Sequence, residues 1–151
     1  MRNSSRVLSL GILLMAAVSS PAQVQTPAPC RDVSYPDISH PNDNRTEKHP
    51  LTLPEVKGIA IDARGVAMTG ACVALFTDEH KLIAVVQADE DGWFTIPETS
   101  PGDYGIVVRA EKHCPAMARI RIGKKKLTIR RNLHAHMRAA EDPRCSYIAL
   151  K

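Results

Sequence analysis

The amino-acid sequence predicts an all-β fold, a seven-stranded antiparallel β-sandwich preceded by a Pro-rich N-terminal lead. From residue 56 onward, short apolar stretches recur at intervals of about ten residues, which is typical of two packed sheets of short strands. Residues with turn chemistry separate these stretches. Within several stretches, apolar and polar side chains alternate, as expected for strands with one buried face.

The first 22 residues have the pattern of a secretory signal peptide. Arg2 and Arg6 precede an apolar run over residues 7–18, and Ser20 and Ala22 supply the small side chains that signal peptidase accepts. A bilayer span needs about 20 apolar residues, so cleavage after Ala22 is favoured over retention as a membrane anchor. We therefore expect an exported mature chain that has no stable membrane anchor.

The next segment, residues 23–54, combines six prolines with mostly polar residues and is predicted to be an extended lead. All four cysteines follow the cleavage site, and an even number in an exported chain predicts two disulfides. Three pairings are possible, of which we favour Cys30 with Cys145 and Cys72 with Cys114. Cys72 should lie outside the core face and link to a neighbouring segment rather than act as a nucleophile.

The first three predicted strands span residues 56–62, 71–76 and 82–87. Residues 63–65 form the first turn, because they end in a glycine that tolerates a positive φ. In the second strand, Ala71, Val73 and Leu75 share one face, which we expect to be buried.

The other four predicted strands span residues 93–97, 104–110, 118–122 and 127–137, with turn chemistry at residues 89–92, 100–103 and 123–126. Alternation predicts one buried face for each strand. The remaining core residues are Phe94, Ile96, Tyr104, Ile106, Val108, Ala110, Ile120, Ile122, Leu127, Ile129, Leu133, Ala135 and Met137. The predicted domain therefore covers residues 55–138, and residues 139–151 are a C-terminal tail.

Turn and strand residues combine into a pattern that extends over residues 55–137. Its opening is Val56-Lys57-Gly58 with Asp62, Gly65 and Gly70-Ala71, its second part is Asp89-Glu90-Asp91-Gly92-Trp93-Phe94, and its third is Pro101-Gly102-Asp103-Tyr104. This combination resembles the carboxypeptidase regulatory-like domains, which are prealbumin (transthyretin-like) β-sandwiches. In the enzymes of that family the sandwich is an accessory to a separate zinc-binding catalytic domain. The resemblance therefore implies a protein-interaction or structural accessory module of a bacterial cell envelope, periplasmic or secreted.

Sequence motifs for catalysis are absent: the chain has no His-Glu-x-x-His, no Gly-x-Ser-x-Gly and no Gly-rich phosphate loop. We expect no enzymatic activity and no cofactor. Asp89, Glu90 and Asp91 lack the later ligands that a calcium loop needs and are interpreted as a hairpin turn. The best metal candidates are His134 and His136, which share one strand face and would need a third ligand. Three other histidines are available for that role: His40, His49 and His113. A solvated face with no metal is favoured.

Two surfaces are candidates for ligand binding. Trp93 lies opposite Phe94 and could stack on a sugar ring, although half-burial beneath the flanking segments is favoured. A basic hairpin places seven positive charges within 13 residues: Arg119, Arg121, Lys124, Lys125, Lys126, Arg130 and Arg131. The mature chain has 18 basic and 16 acidic residues, and aromatic residues do not interleave with the basic ones, so nucleic acid is not expected. The alternative function is therefore a carbohydrate- or polyanion-binding module, with an envelope protein or glycan as the partner.

Overall fold

The computed structural model describes residues 30–31, 33–35, 49–123 and 131–151, and these form an all-β fold. The strands are β1 (Leu51–Leu53), β2 (Val56–Asp62), β3 (Cys72–Phe76), β4 (Leu82–Gln87), β5 (Trp93–Ile96), β6 (Gly102–Arg109), β7 (Ala116–Ile122), β8 (Leu133–Met137) and β9 (Tyr147–Leu150). The predicted signal peptide lies outside the described residues, as does the lysine turn of the basic hairpin. Within the part of the chain that is described, no helix has the length and apolar character that a membrane span requires.

The strands form two sheets, one of five strands in the order β1-β7-β6-β3-β4 and one of four in the order β5-β2-β8-β9. Strand β1 pairs with β7 in parallel, and β2 pairs with β8 in parallel; the remaining pairs are antiparallel. The prediction of seven antiparallel strands was therefore wrong in strand number and in strand direction. Parallel neighbours are joined by long connections rather than by tight turns, so no local turn signal marks them.

The two additional strands lie at the ends of the predicted domain. Strand β1 falls in the segment predicted to be the Pro-rich lead, and its three residues are too few for alternation to be recognised. Strand β9 falls in the predicted C-terminal tail, where it pairs with β8 from Leu133↔Leu150 to His136↔Tyr147. Strand β8 itself starts at Leu133; residues 127–130 of the predicted last strand lie outside the described residues.

Among the described residues, the core between the sheets contains the residues that alternation selected; the predicted core residues Leu127 and Ile129 lie outside the described residues. Val73, Leu75, Ile106, Val108 and Ile120 of the five-stranded sheet are completely buried. On the opposite sheet the buried set includes Phe94, Ile96, Leu133, Ala135 and Met137. Tyr104 and Ala110 are partly buried against this core, and the Tyr104 hydroxyl donates to the Ser100 carbonyl at 2.9 Å. Burial of these apolar side chains is the main contribution to the stability of the sandwich.

A second apolar cluster covers the outer side of the five-stranded sheet. Cys30, Val33 and Tyr35 of the lead lie there, and a disulfide joins Cys30 to Cys72 on β3. The Tyr35 ring packs edge-on against Phe76 and stacks on His80, with ring centroids 5.3 Å and 3.9 Å apart. Burial raises the pKa of Tyr35.

This disulfide corrects the predicted cysteine pairing. Cys72 links to a neighbouring segment as expected, but its partner is Cys30 instead of Cys114. Cys72 is on the outer side of β3, where the lead crosses the sheet, whereas Cys114 and Cys145 lie together elsewhere, with their sulfur atoms 3.4 Å apart. Sequence separation alone could not have distinguished these pairings.

Candidate ligand-binding face

The outer side of the four-stranded sheet carries a row of large side chains from neighbouring strands. Ile59 on β2 is in register with Trp93 on β5 and with His134 on β8. Residues paired directly across strands project from the same side of a sheet. One step along the strands, Ile61 is in register with His136, and His136 is in register with Tyr147. We refer to Ile59, Ile61, Trp93, His134, His136 and Tyr147 as the ring face.

Aromatic rings of the ring face contact one another. The His136 and Tyr147 rings stack with their centroids 4.6 Å apart and their planes 15° apart, and the His134 and His136 rings lie 6.3 Å apart. Trp93 is 43% exposed, more than the other members, which are of intermediate exposure. The arrangement offers flat, partly apolar surface in a stretch of sheet with regular hydrogen bonding, which is a surface suited to stacking a flat or apolar ligand group.

The two histidines of the ring face favour the neutral state. Burial is the largest effect that lowers the pKa of both His134 and His136, and the positive charge of Lys151 lowers both further. A neutral imidazole has one donor and one acceptor nitrogen. Among the described residues, His134 Nδ1 has no hydrogen-bond partner, although it is buried. The face therefore combines apolar ring surface with uncharged polar atoms.

The metal candidates of the sequence, His134 and His136, do share one strand face. Within the described residues no third His, Cys, Asp or Glu joins them in a group that could hold a metal ion. His113, one of the three proposed third ligands, bonds through Nδ1 to the Glu111 carbonyl at 2.7 Å. Of the other two, His40 lies outside the described residues and His49 is exposed.

The acidic turn before Trp93 has a structural role that orients the tryptophan. Asp89 Oδ1 accepts hydrogen bonds from the backbone N–H of Asp91 at 3.0 Å and of Trp93 at 2.8 Å. This is the Asx-type bonding that favours aspartate at turns. Gly92 has a φ of 79°, and its carbonyl accepts from the Ala60 N–H at 2.9 Å. The turn therefore fixes Trp93 against β2 at the edge of the ring face.

The equivalent turn after β2 is built in the same way. Asp62 Oδ1 accepts from the backbone N–H of Arg64 and of Val66, both at 2.8 Å, and Gly65 has a φ of 85°. These bonds hold the pKa of Asp62 below its usual range, with the Val66 N–H as the largest cause. The carboxylates of both turns therefore act as hydrogen-bond acceptors for backbone N–H groups.

The predicted basic hairpin is not formed by paired strands, because β7 and β8 belong to different sheets. The segment also carries less unpaired charge than its sequence indicates. Arg121 makes a two-pronged ion pair with Asp103, from Nε to Oδ1 at 2.6 Å and from Nη2 to Oδ2 at 2.8 Å. Arg119 approaches Asp78 at 3.8 Å. Lys124, Lys125, Lys126 and Arg130 lie outside the described residues. At least two of the seven positive charges therefore have acidic partners.

An open cleft of about 560 Å³ lies where the lead meets the five-stranded sheet. Its lining includes Val33, residues 68–72 and residues 109–111. The Cys72 side of the Cys30–Cys72 disulfide borders this cleft, so its shape depends on the position of the lead.

Sequence reasoning had identified Trp93, His134 and His136, but it had not brought them together. It missed Ile59, Ile61 and Tyr147, because the link between them is the parallel β2–β8 pair and the strand β9. Comparison of the chain with protein-family models found no match, and comparison with curated proteins found none either.

Proposed function

We propose that this protein is an exported, non-catalytic β-sandwich module that binds another component of the cell envelope through the ring face. The observation that carries the proposal is the register of Trp93, Ile59 and His134 across three strands, with Trp93 43% exposed. Tryptophan and tyrosine, both present on the ring face, are among the residue types that contribute most to binding in protein interfaces.

One feature of the described carboxylates supports an accessory role in place of catalysis. The carboxylates with lowered pKa values, such as Asp62, Asp103 and Asp142, are held by turn N–H groups or by arginines. Such partners stabilise the charged form and leave these groups poor proton donors near neutral pH.

The resemblance to carboxypeptidase regulatory-like domains is part of the proposal. Both Asp-x-x-Gly stretches are tight turns with a positive φ at the glycine, and each lies between strands of different sheets. The Pro101-Gly102 turn leads into β6, with Tyr104 bonded back to the turn. Without the three-residue strand β1, the two sheets have four strands each. These features support a prealbumin-like sandwich. The Cys30–Cys72 disulfide is compatible with the oxidising compartment that export would supply.

A carbohydrate ligand is the second candidate, and the neutral rings of the ring face favour it. Aromatic faces pack against the apolar side of a sugar ring, and uncharged imidazole nitrogens can exchange hydrogen bonds with hydroxyl groups. A polyanion is less well supported, because Arg121 is paired with Asp103.

The test compares capture from envelope extract by the mature chain, residues 23–151, and by two variants. Trp93→Ala removes the most exposed ring of the ring face, and Ile83→Ala removes a side chain of similar exposure, 38%, from the other sheet. We expect Trp93→Ala to reduce capture at least tenfold and Ile83→Ala to leave it unchanged. Equal capture by all three proteins would show that the ring face is not the binding surface.

The same experiment distinguishes the two ligand classes. Periodate treatment of the extract cleaves sugar diols and leaves most protein surfaces intact. Capture that survives periodate supports a protein partner, whereas loss of capture supports the carbohydrate candidate. Binding of the purified ligand can then be followed by fluorescence, because Trp93 is the chain's single tryptophan.

A further inference from the structure

Two cysteines outside the disulfide already described lie next to each other. Cys114 is in the connection between β6 and β7, and Cys145 immediately precedes the Ser146 that leads into β9. Their Sγ atoms are 3.4 Å apart. A disulfide has about 2.05 Å between its sulfur atoms, so these two atoms must move about 1.35 Å closer to form the bond.

The backbone on both sides of this cysteine pair is held by hydrogen bonds. The Cys114 N–H donates to the Arg138 carbonyl at 2.9 Å. Ser146, next to Cys145, donates from its hydroxyl to the Cys114 carbonyl at 2.7 Å and accepts from the Arg138 N–H at 2.8 Å. The Ser146 hydroxyl thus bridges the two chain segments that carry the sulfur atoms.

The loop between β8 and Cys145 is fixed by a second set of contacts. Asp142 accepts from the Arg144 N–H at 2.9 Å and forms ion pairs with the side chains of Arg138 and Arg144. The Asp142 N–H in turn donates to the Ala139 carbonyl at 2.9 Å. A hydrogen-bonded turn therefore holds Cys145 beside Cys114, and the fold itself places the two sulfur atoms close together.

We propose that Cys114 and Cys145 form a second disulfide in the mature protein, with a small-molecule or protein disulfide as the oxidant. One cysteine, as a thiolate, attacks a sulfur of the oxidant and releases the first thiol from it. The other cysteine, after losing its proton, attacks the mixed disulfide, forms the Cys114–Cys145 bond and releases the second thiol. The two cysteines lose two electrons and two protons, and the oxidant is reduced to two thiols.

This bond would add a covalent link between the two sheets. It would close a loop that contains β7 and β8 and would attach the start of β9 to the β6–β7 connection. Tyr147, whose ring stacks on His136, follows Cys145 by two residues. The disulfide thus fixes the strand that supplies the tyrosine of the ring face, whether or not that face proves to be the binding surface.

The full chain is suited to a direct test, because trypsin places each cysteine in a separate peptide. Cys114 is in residues 113–119 and Cys145 in residues 145–151, whereas Cys30 and Cys72 are in residues 7–31 and 65–81. The folded protein is treated with glutathione disulfide, remaining thiols are alkylated in denaturant, and the peptides are mapped without reduction. The expected result is a linked pair of peptides 113–119 and 145–151, with loss of alkylation at both cysteines.

Alkylation of both cysteines after complete reaction with the oxidant would overturn the proposal. So would a linkage of either peptide to the peptides that contain Cys30 or Cys72. The variant Cys145→Ser serves as the control: Cys114 should then remain open to alkylation or carry glutathione, while the Cys30–Cys72 link should be unchanged. Loss of the Cys30–Cys72 link in this variant would show that the cysteines exchange partners, which also contradicts the proposal.

Discussion

The ring of Tyr147 stacks on the imidazole of His136, across the β8–β9 pair, with the ring planes 15° apart. This contact brings a residue from the last strand onto the ring face that β2, β5 and β8 begin. It also places His136 under partial cover, and that burial is the main reason why its pKa is lowered. A substitution of either residue should therefore change the environment of the other ring.

The lowered histidine pKa values predict weaker folding stability in mild acid. The fold lowers the pKa of His134 and His136 below their ordinary value of 6.5, so below that pH the unfolded chain binds more protons. Stability is fully present above about pH 6.5 and is lost as the pH falls through the lowered values. We expect His134→Gln/His136→Gln to reduce the loss of melting temperature between about pH 7 and about pH 5. His49→Gln, at an exposed position, is the control; an identical pH dependence of all three proteins would contradict the prediction.

Gly92 and Gly65 form a matched pair for the effect of close packing in the two Asp-x-x-Gly turns. Both have positive φ, but a Cβ at Gly92 would lie 2.6 Å from the Ala60 carbonyl oxygen, whereas at Gly65 no atom is within 4 Å. Gly65→Ala should cost about 1 kcal/mol of unfolding free energy, from the conformation alone. Gly92→Ala should cost at least about 1 kcal/mol more, because the β2 backbone must shift. Urea denaturation measures both values, and equal losses would show that β2 yields freely at this point.

The Cys30–Cys72 disulfide should stabilise the fold strongly, since it closes a long loop. The two cysteines are 42 residues apart, for which the loss of chain entropy in the unfolded state predicts about 4 kcal/mol. Cys30→Ser/Cys72→Ser should therefore lower the melting temperature substantially and release Tyr35 from Phe76. Fluorescence quenching of tyrosine by iodide reports the release. An unchanged melting temperature would mean that the lead holds its position without the covalent bond.

Acid titration should reveal the role of Asp142 in the turn before β9. The Arg144 N–H and side chain are the main groups that hold the pKa of Asp142 at about 2, below the ordinary value of 3.8. This contribution is present above about pH 3.8 and is lost as the pH falls through about 2. Asp142→Asn should therefore lower the melting temperature at neutral pH and leave it unchanged at a pH below about 2, where the aspartate is protonated. A difference of the same size at both pH values would show that the asparagine disturbs the turn by its shape.

Tyr104→Phe tests the hydroxyl that bonds the Ser100 carbonyl. Removing this one hydrogen bond should cost about 1 kcal/mol, since the ring still packs against the core. The unfolding free energy in urea measures the loss. The comparison variant is Tyr147→Phe, which changes a tyrosine of the ring face that does not border this turn.

The sequence predicted correctly the strand bounds and core residues that depend only on residues close together in the chain. The bounds of β2 and β4 agree with the prediction, because β2 ends at the Asp62 turn and β4 ends shortly before the Asp89 turn. The core residues of β3 and β6 followed from alternation, which depends only on neighbouring positions along a strand. These features need no knowledge of which strands are partners.

The features that the sequence did not predict depend on contacts between distant segments. The parallel pair of β2 with β8 joins Ile59 to His134, and no turn residue marks it. The Cys30–Cys72 bond depends on where the lead crosses the sheet, and the approach of Cys114 to Cys145 depends on Ser146. Trp93 and the histidine pair were identified separately for the same reason, because their common face exists only once three strands are paired.

The described residues of the lead, 30–31 and 33–35, make the two outer sides of the sandwich different from each other. Tyr35 and Cys30 occupy the outer side of the five-stranded sheet, and the Tyr35 ring lies so close to Gly105 that a Cβ there would be 2.7 Å from it. The two broad sides of the molecule are therefore not equivalent: one is occupied by the chain's own lead, and the other presents Trp93. A partner that docked on the tryptophan side would therefore approach the sandwich from the side opposite to the Cys30–Cys72 disulfide.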